Sequence, residues 1–372
     1  MLILPFIRGK APTVYLVVIL ANFVPMSVVK EMFSRKRVLP LLLLLVLVLV
    51  WYVRRPTPMM KIEGVTFGTI AYHIQYKDDQ ERNFKASIDS LLVVFNNALS
   101  HYIPDSELSR FNQAGRFVRY ESPFLLPVLE ESQRIFTLSR GAYNPAVMPL
   151  VNAWGFGPGE EIRPDSAFID SLRAFTDFSL VHFDNRQVWK DDPRVQLDFS
   201  ASAKGYGVDV IAHFLLSKGI GDYFVEIGGE VACAGLNAHN KPWRIGIIDP
   251  ASDLLNQAFI ATVDITDIAV ATSANNFNYR VINDVRYSHT LDPATGYPVT
   301  RSILSASIFA PECMTADALA TACMVMGVDK AKAMLAQMPE VEALLIYSTK
   351  EGGTATYITD GLKPLVTFVK QN

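Results

Sequence analysis

Asp198-Phe-Ser-Ala-Ser-Ala-Lys204-Gly-Tyr-Gly-Val-Asp209 runs from the end of an expected strand, Val195 to Phe199, into an expected helix. From Ser202 to Lys218 the residues Tyr206, Val210, Phe214 and Leu215 form one apolar helical face, and Gly219 supplies the stop. Such a strand-to-helix junction is where common nucleotide-binding folds carry their phosphate signatures. Neither is present here: GxxxxGK[ST] and GxGxxG are both absent. The junction still offers a helix N-terminus with Lys204 beside it, which suits phosphate. A helix start capped by Ser200 or Ser202, with Lys204 in solvent, is the plainer alternative.

The flanking pattern sets the fold class. Lys61–Lys77, Phe178–Trp189, Asp222–Gly235, Trp243–Ile248, Phe259–Thr272, Ile303–Phe309, Val341–Tyr347 and Thr354–Ile358 read as strands. Glu81–His101, Ser122–Ser139, Thr315–Met326 and Asp329–Met338 read as helices, with shorter ones after Asp105 and over Pro145–Trp154. Helices and strands are interspersed without strict alternation, which favours α+β over a doubly wound sheet.

The chain has 372 residues, of which 50% are hydrophobic, enough to bury a large core and to exclude global disorder. Three cysteines without a CxxC pair make no disulfide framework, and no HExxH suggests zinc. Charge is uneven. Residues 1–55 hold 8 Lys+Arg and one acid, leaving 26 Lys+Arg against 36 Asp+Glu in the remainder. An acidic body argues against a nucleic-acid partner.

Val38 to Val53 is an uncharged run of 16 residues between Arg35-Lys36-Arg37 and Arg54-Arg55, with Trp51 and Tyr52 at its end. It reads as a single-pass signal-anchor in a bacterial inner membrane, its basic cluster inside and its body facing the periplasm. A second apolar run, Ala11 to Val29, would return the body to the side of the N-terminus if both runs spanned. Met32 suits a signal-anchor start, which would make residues 1–31 an upstream extension of the reading frame. The expected organisation is therefore an anchor region over 1–55, a linker over 56–60 and one domain over 61–372.

Further stretches are richer in Gly and polar residues than packing requires. In Thr315-Ala-Asp317-Ala-Leu-Ala-Thr321 a carboxylate and a hydroxyl share one helix face, hard oxygen ligands of the kind magnesium takes. A capping acid and a Thr bonded back to its helix is the alternative. Ser288-His289-Thr-Leu-Asp292-Pro-Ala-Thr-Gly296 is a turn in which Pro293 fixes φ and Gly296 permits φ > 0. His289 just before it is a candidate general base. Gly141-Ala-Tyr-Asn-Pro145 and Gly228-Gly229-Glu230 say only "turn" on their own.

Together and in this order, these stretches resemble the ApbE family of FAD:protein FMN transferases. Further matches are Gly68-Thr69, Tyr102, Pro104-Asp-Ser-Glu-Leu-Ser-Arg-Phe-Asn112 and Val151-Asn-Ala-Trp-Gly-Phe-Gly157, so the likeness spans about Phe67 to Gly327. The resemblance implies an α+β domain with a T-fold-like core that binds FAD with magnesium. It implies transfer of FMN to a Thr or Ser hydroxyl of an acceptor flavoprotein, with release of AMP. Typical acceptors are subunits of NADH:quinone reductases, Rnf-type complexes and related extracytoplasmic electron carriers. Carried over by motif, Asp317 and Thr321, with the carbonyl of Ala201, would ligate magnesium. Phe67, Tyr102, Ala142, Tyr143, Asn144, Asp198, Lys204 and Thr290 would contact FAD, and His289 would act as the base. Two positions depart: Phe67 stands where the family usually has Met, and Asn144 where it usually has Asp. Two other readings of the same residues are an FAD diphosphatase and a non-catalytic, membrane-anchored FAD-binding protein.

Overall fold

The computed structural model describes residue 40 and residues 43–47, 57–157, 165–252, 257–274, 279–282, 285–300 and 302–369, with backbone alone over 279–282 and 285–288. The chain divides into two units, Met1–Thr57 and Pro58–Asn372. In the first, residues 43–47 are helical and exposed. Most of the Val38–Val53 run, all of Ala11–Val29 and Met32 lie outside the described residues. Among the described residues, no helix is long and apolar enough to cross a membrane.

The second unit opens with a hairpin of β1 (Met59–Thr66) and β2 (Ile70–Lys77). Then come α1 (Lys85–Leu99), α2 (Glu107–Gln113), β3 (Phe117–Arg119), α3 (Leu125–Leu138), α4 (Met148–Ala153), α5 (Ser166–Arg173), β4 (Val181–Phe183) and β5 (Gln187–Lys190). Next are α6 (Ala203–Ser217), β6 (Tyr223–Ile227), β7 (Glu230–Ala234), β8 (Trp243–Ile248), β9 (Phe259–Ile265) and β10 (Ile268–Ala274). Two small hairpins follow, β11 (Tyr279–Ile282) with β12 (Val285–Ser288) and β13 (Leu291–Asp292) with β14 (Tyr297–Pro298). The chain closes with β15 (Ile303–Ala310), α7 (Cys313–Met326), α8 (Val328–Leu335), β16 (Glu342–Ser348), β17 (Thr354–Ile358) and β18 (Val366–Phe368). Eight strands form one sheet in the order β1-β2-β6-β7-β10-β15-β16-β17, and every neighbouring pair is antiparallel. The fold is α+β, as expected.

The two central helices, α6 and α7, pack on this sheet and on each other. Their starts meet so closely that a Cβ on Gly205 would lie 2.3 Å from the carbonyl oxygen of Cys313. The carboxylate of Asp209, the last residue of the junction motif, spans the gap. It accepts from Cys313 N at 2.7 Å and Met314 N at 2.8 Å, capping α7 from a neighbouring helix.

Three expectations change. Val195–Phe199 forms no strand. The side chain of Asn112 takes the place of one, accepting from Leu197 N at 2.7 Å and donating to Leu197 O at 2.8 Å. Phe178–Trp189 is two strands, because Asp184 Oδ1 accepts from Arg186 N and Gln187 N and turns the chain between β4 and β5. Helix α5 was not expected. Its signal is Asp165, whose carboxylate caps Phe168 N, ahead of buried Ile169 and Leu172.

Candidate active site

A cleft of about 1020 Å³ opens where the starts of α6 and β7, the face of α7 and several loops converge. Tyr102, Ala142, Tyr143, Asn144, Asp198, Ala201, Lys204, His289, Thr290, Asp317 and Thr321 all line it. Phe67 does not: its ring packs 5.7 Å from that of Phe95 and leans over Gly207.

The floor is charged: Glu230 and Asp317 are buried and Lys204 is half-buried between them and the cleft. Lys204 Nζ is ion-paired with Glu230, whose side chain is 3% exposed. Burial works against the charge on Lys204, yet the carboxylates of Glu230 and Asp317 outweigh it and hold its pKa above the ordinary lysine value. Burial likewise pushes Asp317 up, against the pull of Lys204 and a hydrogen bond from Gly205 N at 3.1 Å. Glu230 is raised by the same burial and by the like charge of Asp317. Gly228 and Gly229 turn the chain into β7 with φ of 59° and 102°. A Cβ on Gly228 would sit 2.6 Å from Ile70 Cγ2. The bend between strands thus delivers Glu230 to the floor.

The helix N-terminus is not the open anion site that the sequence suggests. Ser202 N and Ala203 N both donate to Phe199 O, and Gly205 N donates to Asp317. Ser202 makes no side-chain cap. Its hydroxyl meets the Tyr143 phenol at 2.9 Å, and Ser132 meets the same phenol at 3.1 Å. Burial pushes that phenol up to about 12. The link ties Tyr143 to the loop that carries Ala201. Beside it, Asn144 Oδ1 accepts from Ala146 N at 2.9 Å while Nδ2 donates to Thr176 O at 3.0 Å. A carboxylate could not make the second bond, so the amide at this position has a local structural role.

The rim is made of turns. Asp292 Oδ1 accepts from Ala294 N at 2.9 Å and Asp292 O accepts from Gly296 N at 2.7 Å, closing the β13–β14 hairpin. Trp154 Nε1 donates to Gly296 O at 2.8 Å, which explains the Val151–Gly157 stretch as a brace for this turn. His289 stands exposed just before the turn and Thr290 is buried. The side chain of Asp198, which also lines the cleft, is 9% exposed. Burial opposes its ionisation, but hydrogen bonds from His101 and Ser200 hold its carboxyl below the usual carboxylate range.

Among the described residues, no group of three or more His, Cys, Asp and Glu is placed to hold a metal ion. The donors at hand are oxygens: Asp317, the Thr321 hydroxyl, which lies 3.3 Å from Ser273 Oγ, and the Ala201 carbonyl. Glu230 Oε2 is buried and lacks a hydrogen-bond partner among the described residues. One or two carboxylates, neutral oxygens and an unsatisfied acid fit magnesium, which keeps waters and phosphate oxygens in its shell. Glu230 and His101 were missed as site residues. The first reads as part of a bend, and the second gains meaning only from Asp198, far along the chain.

A half-buried cation flanked by two buried carboxylates, a hydroxyl-lined wall and a histidine at the mouth define a cleft for phosphate chemistry on a nucleotide-sized ligand. The chain belongs to the ApbE family, whose model matches residues 67–345. It is 38% identical over 321 residues to an FAD:protein FMN transferase of Vibrio cholerae, covering 84% of this chain and 94% of that protein. A second protein of that name, from Haemophilus influenzae, is 34% identical over 313 residues, with 80% and 89% covered. Among solved structures, the flavin transferase ApbE from Vibrio cholerae superposes with a TM-score of 0.73 at 36% identity, over 83% of this chain and all of that one. The apo flavinyl transferase ApbE of Pseudomonas stutzeri gives 0.74 at 29% identity, over 84% and 98%.

Proposed function

We propose that this protein transfers the FMN moiety of FAD to a Thr or Ser hydroxyl of an acceptor flavoprotein and releases AMP. The observation that carries the reading is that motif stretches scattered along the sequence line one cleft, in a chain whose relatives bear that name. Asp317, Thr321 and the Ala201 carbonyl would hold magnesium, which when bound supplies charge neutralisation at the pyrophosphate. Lys204 adds a fixed positive charge to the same place, oriented by Glu230. His289, at the mouth, takes the proton from the acceptor hydroxyl, a weak nucleophile without a base. Tyr102, Ala142, Tyr143, Asn144, Asp198 and Thr290 line the remainder, where FAD would be gripped; Phe67 would act only through the packing beneath. The acceptors we infer are subunits of NADH:quinone reductase or Rnf-type complexes, or related extracytoplasmic carriers. The basic, apolar N-terminal region supports an inner-membrane anchor with the domain facing the periplasm.

The test is incubation of the full chain with FAD, magnesium and an acceptor domain carrying a flavinylation-type Thr, read as intact mass. A gain of one FMN that EDTA abolishes is the expected result. FAD cleaved to FMN and AMP with no gain on the acceptor would replace the transferase with a diphosphatase. Intact, bound FAD would leave a flavin-binding protein.

A further inference from the structure

His101 precedes Tyr102 in the loop between α1 and α2, and no motif singles it out. Its side chain is 6% exposed and its Nδ1 lies 3.3 Å from Asp198 Oδ1. The same oxygen accepts from Ser200 N at 2.8 Å and Ser200 Oγ at 2.6 Å. An ionised carboxylate only accepts, so Nδ1 donates to it and Nε2 is the ring nitrogen left to meet another group. That Nε2 is buried and has no hydrogen-bond partner among the described residues, although the residue lines the cleft. A buried polar atom left without a partner is uncommon and needs a cause. The described residues supply no partner and the side chain borders the cleft, so a group that fills the cleft is the candidate partner.

Tyr102 lies alongside, its ring centroid 4.1 Å from that of the imidazole, and it is 63% exposed. An exposed aromatic face beside a buried acceptor suits a flat heterocycle with an N–H on its edge. One supplies stacking and the other a directional hydrogen bond. We propose that His101 Nε2 accepts a hydrogen bond from an edge N–H of one of the two ring systems of FAD, with Asp198 fixing the tautomer and orientation of the imidazole. The inference rests on the flavin-transfer reading above. Both isoalloxazine and adenine carry such an N–H, and separate ligands distinguish them.

The experiment is calorimetric binding of FAD, FMN and AMP to the full chain in detergent, for the parent and for His101→Ala, His101→Gln and His101→Asn. Gln places an amide where Nε2 stands, whereas Asn imitates only Nδ1. The expected result is a 10- to 100-fold weaker FAD affinity in His101→Ala, partly restored by Gln and not by Asn. The same loss should appear for FMN alone or for AMP alone, naming the ring that is read. Transfer at saturating FAD should stay within a few-fold of the parent, so that KM rises and kcat holds. Unchanged FAD affinity in His101→Ala would overturn the contact. So would restoration by Asn and not by Gln, since His101 would then act only through Asp198. Should the variants not fold, the ¹⁵N resonance of His101 Nε2 in the parent decides: it shifts on adding FAD if the bond forms and stays put if it does not. A parent protein that binds no FAD overturns the flavin reading and this contact with it, a result distinct from a variant effect.

Discussion

The floor and the rim of the cleft are built by different physics. On the floor, Lys204, Glu230 and Asp317 are held by helices and a strand, and their charges answer one another across elements. On the rim, His289, Thr290 and Tyr102 stand on turns whose geometry comes from short local hydrogen bonds, such as those closing Asp292–Gly296. The floor therefore has little freedom and a fixed electrostatic character. Buried charge belongs to one region and turn geometry to the other, and the two candidate chemical groups, Lys204 and His289, stand one in each.

The largest expected effect falls on the rim. His289→Ala should lower the transfer rate by about 10²–10⁴-fold, the usual contribution of a general base, while FAD affinity holds. Stopped-flow transfer and calorimetry together check it; a fall in affinity instead would erase the division between the regions. On the floor, Asp317→Ala should cost about 10²–10³-fold in kcat and move the magnesium requirement upward, read from a metal titration of turnover. Glu230→Gln should cost about 10–100-fold, the scale of a partner that orients another group, again with a shifted magnesium titration. If it leaves both unchanged, Glu230 is only a packing residue.

Two smaller predictions concern what lies beneath. Asn112→Ala strands the N–H and C=O of Leu197, which should cost about 2–3 kcal/mol by urea unfolding. Lys190 is buried, donates to Phe111 O at 3.0 Å and Val195 O at 2.7 Å, and burial pushes its pKa down to about 8. Between about pH 8 and the ordinary lysine value the unfolded chain holds the proton that the folded chain releases. Stability should therefore rise with pH across that window, and Lys190→Met should flatten the rise. Unfolding free energies from pH 7 to 10.5 check the sign.

The elements that were legible in the sequence are those whose partners are periodic or close. Helix α6 shows its bounds, although its buried face runs through Val208, Ile211 and Ala212 with Tyr206 and Leu215, leaving the expected Val210 and Phe214 half-buried, and the β6–β7 bend shows its two glycines. The segment before Asp198 misled because a strand pattern records only that both faces meet something; here the partner is an amide side chain and not a strand. The helix start at Ser202 misled for a related reason. Its N–H groups look available until Phe199 O and Asp317 are seen to occupy them. Of the candidate site, the residue types were legible, since Asp317, Thr321 and Lys204 suit their chemistry in any context. What could not be read was pairing at a distance: Glu230 with Lys204, and His101 with Asp198.

The bond from Gly205 N to Asp317 joins positions 112 apart, and those from Cys313 and Met314 to Asp209 join positions 104 and 105 apart. Closing such long loops is slow, because chain entropy is lost before any contact compensates it. A nascent chain emerging from its N-terminus holds the junction motif long before it holds the acid that completes it. The cleft floor is thus among the last parts of the molecule to exist, and flavin nucleotide meets only a finished chain.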